Sequence, residues 1–363
     1  MGCFKILSED KKTKARIGEI KTASGVVKTP CFVPDATYGV VKHLSGDDLR
    51  ETNLQMVLGN VHHLSIRPGS RRLKKFGGLK KFMDWEGPLL TDSGGFQAYS
   101  MVHKNRMGKV EKGGVRFRDH LSGKEHFLTP QKSIQSQLDL GADVLMVLDY
   151  PVFPDEPKSA NRYSVSLTTR WAKESKEYFD QHASQKQILM AIIQGAGDKE
   201  LRKRSFQELE RINKFSGYGF GGIVDGKNLS LLDFVANLIP EDRIRYLMGA
   251  GPPKLIIQAV AMGWDLFDCV VPTRNARHGL AYTFDGEIKI RQARYRDDQS
   301  SLEKDCPCLA CQNYSRAYLY HLFKVKEPLG QRLLTLHNLT FYTRLMKLIR
   351  EKISQGRLSD LLD

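Results

Sequence analysis

The chain has 363 residues, of which 41% are hydrophobic and 27% charged, values that are ordinary for a globular protein. No stretch approaches the roughly 18 apolar residues of a membrane span, and the first residues lack the apolar core of a secretory signal. The net charge of +15 favours a polyanionic partner, nucleic acid first and an acidic membrane second. We therefore expect a cytoplasmic protein of one or two domains with no membrane segment.

Eight short apolar runs follow one another along the chain, each bounded by Gly, Pro, Asn or Asp. Continuous apolar runs are typical of strands buried on both faces, as in a parallel sheet. The runs span residues 29–34, 54–60, 87–92, 143–149, 187–195, 217–224, 244–251 and 266–272. Helix-like segments separate most of them, with Thr129-Pro130 predicted as a helix start and Gly263 as a helix C-cap. The alternation predicts an α/β fold, a (β/α)8 TIM barrel.

Two insertions interrupt this alternation. Residues 113–129 alternate around a Ser-Gly turn signal and predict a β-hairpin. Residues 281–298 predict a second hairpin, which is followed by a cysteine cluster and then by helical sequence. We therefore predict a barrel domain over residues 1–280 and a C-terminal subdomain over 281–363 that packs on it.

The cysteine cluster has the spacing of a metal site. The segment CPCLAC and a histidine further along the chain supply three thiolates and an imidazole: Cys306, Cys308, Cys311 and His337. A Cys3His set completes a tetrahedral shell, which predicts one structural zinc ion. A catalytic zinc ion fits less well because no coordination position remains for water, and chance clustering is the third alternative. The other three cysteines stand alone and are expected to be reduced and inert.

Polar residues follow the predicted barrel strands where each strand ends. In a barrel of this kind the functional residues lie at the carboxyl ends of the strands. Here those ends carry Asn60, Asp92, Asp149, Gln194 and Asp268, with glycines at 222 and 249. One such residue alone is adequately explained as a cap of the next loop. Three carboxylates that converge on one mouth repel each other and are costly to bury, so we predict a catalytic site there.

The same strand ends match the hydrogen-bonding edge of guanine. Phe96 supplies a flat apolar face, next to two glycines that allow close approach of the backbone. Asp149 is able to accept two hydrogen bonds from adjacent N–H donors, which the N1–H and 2-amino groups of guanine offer. The Gln194 side chain and the Gly222 N–H are donors suited to O6. Together these groups form a hydrogen-bonding set shaped like guanine, a match that depends on the family resemblance described below.

Several basic and imidazole side chains allow more than one interpretation. Arg274 and Arg277, in the loop after the eighth strand, either pair with acids on the rim or bind phosphates and base edges of RNA. The basic run 67–81 is either a solvated face or a guide for a phosphate backbone. His62 and His63 are interpreted as core or hydrogen-bonding histidines rather than metal ligands.

The chain resembles the queuine-type tRNA-guanine transglycosylases over essentially its whole length. The shared motifs, in the same order, are LGN-x2-HL-x2-RPG, TDSGGFQ, IIQG, YLMGAG, FDCVVPTRNARHG and C-x-C-x2-C…H. The resemblance implies a (β/α)8 barrel with a zinc-binding insertion. It further implies exchange of guanine at the wobble position of tRNAs with a GUN anticodon for a 7-deazaguanine, preQ1 or queuine. The implied mechanism is a double displacement through a covalent aspartyl-ribose intermediate, and a homodimer is expected.

The resemblance also assigns a role to each residue that matches a motif. Asp268 would be the nucleophile and Asp92 the general acid/base. The substrate-binding set would consist of Asp149, Gln194, Gly222, Ile223, Phe96, Met248, Gly249, Ser93 and Asn60, with the base sandwiched between Phe96 and Met248. Arg274 and Arg277 would bind the tRNA anticodon loop, and Cys306, Cys308, Cys311 and His337 would hold zinc.

Some positions depart from the pattern of many bacterial members. Tyr150-Pro151 stands where they read Glu-Cys, GGIVDGKN where they read GGLAVGEG, and Val61-His62 where they read Thr-Tyr. The first two departures lie near the 7-substituent of the incoming base, which leaves the choice among preQ1, preQ0 and queuine open. Asp225 would favour a cationic aminomethyl group.

Four other functions compete with transglycosylation of tRNA at the wobble position. They are a non-catalytic partner subunit of a heterodimeric enzyme, a base-exchange paralogue acting on DNA, the archaeosine type, and a retaining glycosidase on small sugars. Retention of both Asp92 and Asp268 argues against the first. The positive charge and the low tryptophan content, three residues, argue against the glycosidase.

Overall fold

A computed structural model describes residues 2–103, 106–119, 122–152, 156–212, 215–222, 224 and 226–362. Its strands fall into one large parallel sheet and three small antiparallel ones. In chain order the strands are β1 (Phe4–Glu9), β2 (Arg16–Thr22), β3 (Gly25–Thr29), β4 (Cys31–Val33), β5 (Val57–Gly59), β6 (Leu89–Thr91), β7 (Gly108–Glu111), β8 (Gly114–Arg118), β9 (Glu125–Leu128), β10 (Val144–Met146), β11 (Ile188–Ile193), β12 (Gly217–Phe220), β13 (Ile244–Leu247), β14 (Leu266–Asp268), β15 (Leu280–Thr283) and β16 (Gly286–Lys289).

The helices complete a (β/α)8 architecture. In chain order they are α1 (Gly46–Glu51), α2 (Val61–Ile66), α3 (Ser70–Lys75), α4 (Leu79–Phe82), α5 (Gly95–His103), α6 (Pro130–Leu140), α7 (Lys158–His182), α8 (Lys199–Ile212), α9 (Leu229–Leu238), α10 (Pro253–Ala261), α11 (Val271–Arg277), α12 (Leu309–Asn313), α13 (Arg316–Lys324) and α14 (Pro328–Ser354). None of the helices in the described part of the chain is long and apolar enough to cross a membrane.

The predicted TIM barrel is confirmed. Each of the eight predicted apolar runs contains one strand of the parallel sheet, in the order β4-β14-β13-β12-β11-β10-β6-β5. The two ends of this order meet at a parallel bridge between Asp35 and Leu58, where the Leu58 N–H donates to the Pro34 carbonyl oxygen at 2.9 Å. Most residues of these strands are buried, because side chains pack on both faces of a barrel wall.

Local signals in the sequence set the ends of the outer helices. Thr129 caps α6 by accepting a hydrogen bond from the Lys132 N–H, and Pro130 opens the helix, as predicted. The helix α10 ends at Ala261 with Met262 as its C-cap, so the predicted Gly263 lies one residue further, where its φ of +94° terminates the helix.

One antiparallel sheet precedes the barrel strands in the chain, and another is inserted between the barrel strands β6 and β10. The strands β1, β2 and β3 precede the barrel and were not predicted from the sequence. The strands β8 and β9 form a hairpin within the predicted segment 113–129, with Val115 opposite Leu128, and β7 adds a third strand. The hairpin of β15 and β16 lies within the segment 281–298 apart from its first residue, Leu280.

The C-terminal helix belongs to two apolar cores. Leu333 and Leu334 of α14 pack in the core that contains the cysteine cluster, while Leu336 and Leu339 pack in the barrel core. The C-terminal part is therefore joined to the barrel by one continuous helix. The division of the chain at residue 280 stays a prediction.

The eighth strand ends at Asp268, not at residue 272. The segment predicted to be a loop that carries the two arginines is the helix α11, because Pro272 is favourable in a first helical turn.

Arg16 of β2 forms a buried ion pair with Asp265, with Nε–Oδ1 and Nη2–Oδ2 distances of 2.9 and 2.7 Å. This pair joins the N-terminal sheet to the barrel.

Candidate active site

A cavity of about 330 Å³ opens at the carboxyl ends of the barrel strands. The structure brings nine of the predicted site residues to its walls: Asn60, Asp92, Ser93, Phe96, Asp149, Gly222, Met248, Gly249 and Asp268. Gln194 lies behind the wall and contacts one of these residues, as described below. Ile223 and Asp225 lie outside the described residues. The strand-end rule therefore locates most of one continuous pocket.

Asp92 follows β6 and is held by three hydrogen-bond donors. Its Oδ2 accepts from Asn60 Nδ2 at 2.6 Å and from Gln97 Nε2 at 3.1 Å, and its Oδ1 accepts from the Val61 backbone N–H at 2.7 Å. Burial raises the pKa of this carboxyl to about 7, and the nearby charges of Asp35 and Asp268 act in the same direction. A carboxyl group with this pKa is suited to give and take a proton near neutral pH.

Asp268 ends β14 and has a different set of partners. Its Oδ1 accepts from Tyr246 Oη at 2.7 Å and from the Gly249 backbone N–H at 2.9 Å. Gly249 has a φ of +77°, a conformation that side chains rarely adopt. Burial raises the pKa of Asp268, whereas the two hydrogen bonds stabilise its ionised form. The result is a positioned carboxylate with one oxygen free of hydrogen bonds from the described residues.

Asp149 lies across the cavity beneath the start of α5. Its Oδ1 accepts from Ser93 Oγ at 3.0 Å and its Oδ2 from Gln194 Nε2 at 2.7 Å. Burial raises the pKa of Asp149 to about 6. A Cβ atom on Gly95 would lie only 2.6 Å from both the carbonyl and a carboxylate oxygen of Asp149, so this position requires glycine. The close packing fixes the carboxylate in the pocket wall.

Phe96 and Met248 supply apolar surface to the cavity. The Phe96 residue is 48% exposed at the start of α5, which leaves its ring accessible. Met248 follows β13 and packs against Gly219, where an added Cβ atom would lie 2.8 Å from the Met248 sulfur. Both residues line the same cavity as the carboxylates, as a planar ligand would require.

Several groups of this site were not predicted from the sequence. Asp35, two residues after β4, is a fourth carboxylate of the cavity wall, and the strand-end rule would have found it had the first run not been ended at Pro34. Gln97 lies in the quoted motif but had no assigned role. Tyr246 lies inside a strand, and no local sequence signal shows that it contacts Asp268 across the barrel.

Some positions at which this chain differs from many bacterial members were expected to lie near the base, and only some of these residues line the cavity. Pro151 lines it, whereas the Tyr150 hydroxyl lies 3.1 Å from His103 Nε2 and its ring packs near Trp171. His62 packs its ring against Phe117 at 5.0 Å between centroids, in agreement with a core histidine.

Arg274 and Arg277 lie on α11, directly after the strand that carries Asp268. Arg274 is exposed and Arg277 half-buried, and neither is paired with a carboxylate of the described residues. Burial and the neighbouring Arg274 lower the pKa of Arg277, and its Nη1 is buried with no hydrogen-bond partner in the part of the chain that the structure describes. Within the described residues, neither guanidinium group therefore pairs with an acid on the rim.

The four predicted metal ligands come together in the C-terminal core. The ligand atoms of Cys306, Cys308, Cys311 and His337 lie within 4.8 Å of one another, and all four residues are buried. The distances from His337 Nδ1 to the three sulfur atoms are 3.7, 3.6 and 3.3 Å. A tetrahedral zinc ion holds its sulfur and nitrogen ligands about 3.5 Å apart, so the cluster fits a structural metal site. The Tyr282 carbonyl oxygen, 2.8 Å from Nε2, orients the imidazole.

These features define a barrel enzyme with carboxylates at its mouth and a structural metal site beside the barrel. The family model described as queuine tRNA-ribosyltransferase matches residues 10–363. The chain is 44% identical over 357 residues to a queuine tRNA-ribosyltransferase of Aeromonas hydrophila, covering 96% of this chain and 92% of the relative. Corresponding relatives from Hamiltonella defensa and Caldanaerobacter subterraneus are 45% and 43% identical, over 95% and 98% of this chain and 93% and 94% of their own. The chain belongs to the queuine tRNA-ribosyltransferase family and is a pentosyltransferase.

Proposed function

We propose that this enzyme exchanges guanine at the wobble position of tRNAs with a GUN anticodon for a 7-deazaguanine. The observation that carries the proposal is the pair Asp92 and Asp268, which line one cavity in unlike surroundings. Asp268 accepts two hydrogen bonds that favour its carboxylate form against the effect of burial, while Asp92 has a pKa of about 7 and is able to carry a proton. A nucleophile and an acid/base are the two groups that a double displacement at a ribose requires.

In the first step a free oxygen of Asp268 attacks C1′ of the ribose. A bond forms between this oxygen and C1′, the bond from C1′ to N9 of guanine breaks, and Asp92 delivers a proton to the departing base. The products are a covalent aspartyl-ribose and neutral guanine. The target nucleotide must leave its stack to reach the pocket, as in other enzymes that act on a base.

In the second step a 7-deazaguanine replaces guanine in the pocket. Its N9–H proton passes to Asp92, N9 bonds to C1′, and the Asp268 carboxylate is released, so the configuration at C1′ is retained. Asp149 accepts hydrogen bonds from the N1–H and 2-amino groups and the Gly222 N–H faces O6, while Gln194, behind the wall, holds the Asp149 carboxylate in place. Phe96 and Met248 hold the ring between them.

The proposed macromolecular partners follow from charge and geometry. The net charge of +15 and the position of Arg274 and Arg277 on α11, directly after the strand that carries Asp268, favour the anticodon loop of tRNA as ligand. We further propose that the Cys3His cluster binds one zinc ion per chain. This ion would have a structural role and hold the C-terminal subdomain together. A homodimer is expected, and light scattering of the purified protein measures this oligomeric state.

Incorporation of labelled guanine into unmodified tRNA tests the proposed function. We expect label with the wild type and with the control variant Asp285→Asn, which changes an exposed aspartate outside the cavity, and none with Asp268→Asn. Absence of label with wild-type protein that carries its metal would contradict the proposal in favour of a non-catalytic partner subunit. Label in DNA but not in tRNA would favour the DNA paralogue. Competition with preQ1, preQ0 and queuine then ranks the incoming bases.

A further inference from the structure

Asp35 is a carboxylate of the barrel mouth that the proposed reaction does not use. It follows β4, which pairs in parallel with β14 so that Val33 lies opposite Asp268. Asp35 is therefore two residues nearer the open end than Asp268, about 7 Å along the strand direction. Both residues line the same cavity, together with Leu58 and Val270. The side chain is thus placed where the part of a substrate next to the reacting atom must lie.

This carboxylate has fewer protein partners than its neighbours. Among the described residues, Thr37 alone supplies its hydrogen bonds, from a hydroxyl at 2.7 Å and from its backbone N–H. Asp92, by comparison, accepts from three different residues. Burial, together with the charge of Asp268, raises the pKa of Asp35 to about 6, while Thr37 and the charge of Lys42 act in the opposite direction. A half-buried carboxylate with this little compensation retains capacity to accept a hydrogen bond from a ligand.

The chemistry of the ligand follows from the proposed reaction, on which this inference rests. When Asp268 bonds to C1′, the 2′-hydroxyl is carried by the adjacent ring carbon. Within a polynucleotide the 3′- and 5′-oxygens are esterified, so the 2′-hydroxyl is the one free donor of each ribose. Carboxylates that accept from a ribose 2′-hydroxyl are a recurring device in nucleotide-binding proteins. The 2′-hydroxyl is also the group by which proteins distinguish RNA from DNA.

We propose that Asp35 is a substrate-binding residue that accepts a hydrogen bond from a ribose 2′-hydroxyl of the RNA in the barrel mouth. The hydroxyl belongs to the exchanged nucleotide or to one beside it. Asp35 thereby contributes to the selection of RNA over DNA. Its role differs from that of Asp92 and Asp268, because it contacts the substrate without taking part in bond making or breaking.

The test combines a protein substitution with removal of single hydroxyl groups. Wild type and Asp35→Val are assayed on an anticodon stem-loop RNA and on versions with one 2′-deoxynucleotide at the exchanged position or on either side. We expect one of these deoxy substitutions to lower the kcat/KM of the wild type about 10- to 100-fold, the usual value of a hydrogen bond to a charged group. On the all-RNA substrate, the kcat/KM of Asp35→Val should be lower than that of the wild type by a similar factor. The same deoxy substitution should not lower the kcat/KM of Asp35→Val any further. Asp35→Asn, which keeps an acceptor oxygen, should lie between them.

The cycle separates recognition from other effects of the substitution. A wild type that tolerates every single deoxy substitution would overturn the proposal. The proposal would also be overturned if Asp35→Val lowered kcat/KM, relative to the wild type, by the same factor on the all-RNA and the deoxy substrates. Asp35 would then act only through the charge of the site. Asp285→Val, a matched change outside the cavity, should behave as wild type. Affinities of the same oligonucleotides, measured by fluorescence anisotropy, test the contact even if no exchange occurs, so failure of the proposed function is recognised separately.

Discussion

Tyr246 offers a sharp test of how Asp268 is prepared for attack. Its hydroxyl donates to Asp268 Oδ1 at 2.7 Å and the residue is fully buried, so Tyr246→Phe removes one of two hydrogen bonds from the carboxylate. The removed bond favours the ionised form, and its loss therefore raises the pKa of Asp268. A hydrogen bond to a charged group contributes about 1.5 to 3 kcal/mol, which corresponds to about 1 to 2 pH units.

The assay is the pH dependence of kcat/KM for guanine exchange. Because attack requires ionised Asp268, activity rises with pH through the pKa of this group in the free enzyme. We expect the acid limb of the Tyr246→Phe profile to lie about 1 to 2 pH units higher than that of the wild type. Tyr218→Phe is the matched control, since Tyr218 lies on the neighbouring strand and donates to Glu210 outside the cavity. An unchanged acid limb in Tyr246→Phe, with a folded protein, would refute the reasoning.

Three other substitutions test the pocket, the barrel and the metal site. Gly95→Ala should raise the KM for the base and lower kcat/KM about 100-fold, because the new Cβ displaces Asp149; steady-state kinetics measure this. Arg16→Ala should lower the free energy of unfolding by about 3 to 5 kcal/mol in urea titrations, because it leaves Asp265 buried without its cation. Cys308→Ser should abolish binding of one zinc ion per chain and destabilise the protein by several kcal/mol, as metal analysis and thermal unfolding will show.

Each of these predictions has a control in the chain. Gly197→Ala places a Cβ atom in open space and should leave the kinetics unchanged. Arg50→Ala removes two exposed ion pairs, with Asp47 and Asp84, and should cost about 1 kcal/mol or less. Cys3→Ser changes a cysteine outside the cluster and should leave the metal content unchanged. Equal effects of test and control variants would contradict the corresponding argument.

The sequence predicted the barrel well because its strands are short, apolar and separated by clear turn signals. It predicted the strand ends less well: Val270 and Val271 continue the apolar pattern of the eighth strand, yet the chain turns into α11 there. The strands β1 to β3 were not predicted because they contain no continuous apolar run, and β1 has buried or half-buried residues only at alternate positions.

The candidate site, like the fold, was predicted from the sequence only in part. Asp92, Asp149 and Asp268 were found because the ends of barrel strands meet at one mouth. The hydrogen bond from Tyr246 to Asp268 depends on the register between β13 and β14, which no local pattern in the sequence contains. The cysteine cluster was found because ligand spacing is a local property, and only its closure by His337 depends on the fold. The catalytic and binding roles of the individual residues stay predictions.

Direct detection of the covalent intermediate tests the central claim. The enzyme is mixed with unmodified tRNA in the absence of free base, denatured, and digested with nuclease and protease before mass spectrometry. We predict a ribonucleotide that has lost its guanine, attached to Asp268 in the wild type and absent from Asp268→Asn. An adduct on another residue such as Asp92, or guanine exchange that proceeds in Asp268→Asn, would contradict the account.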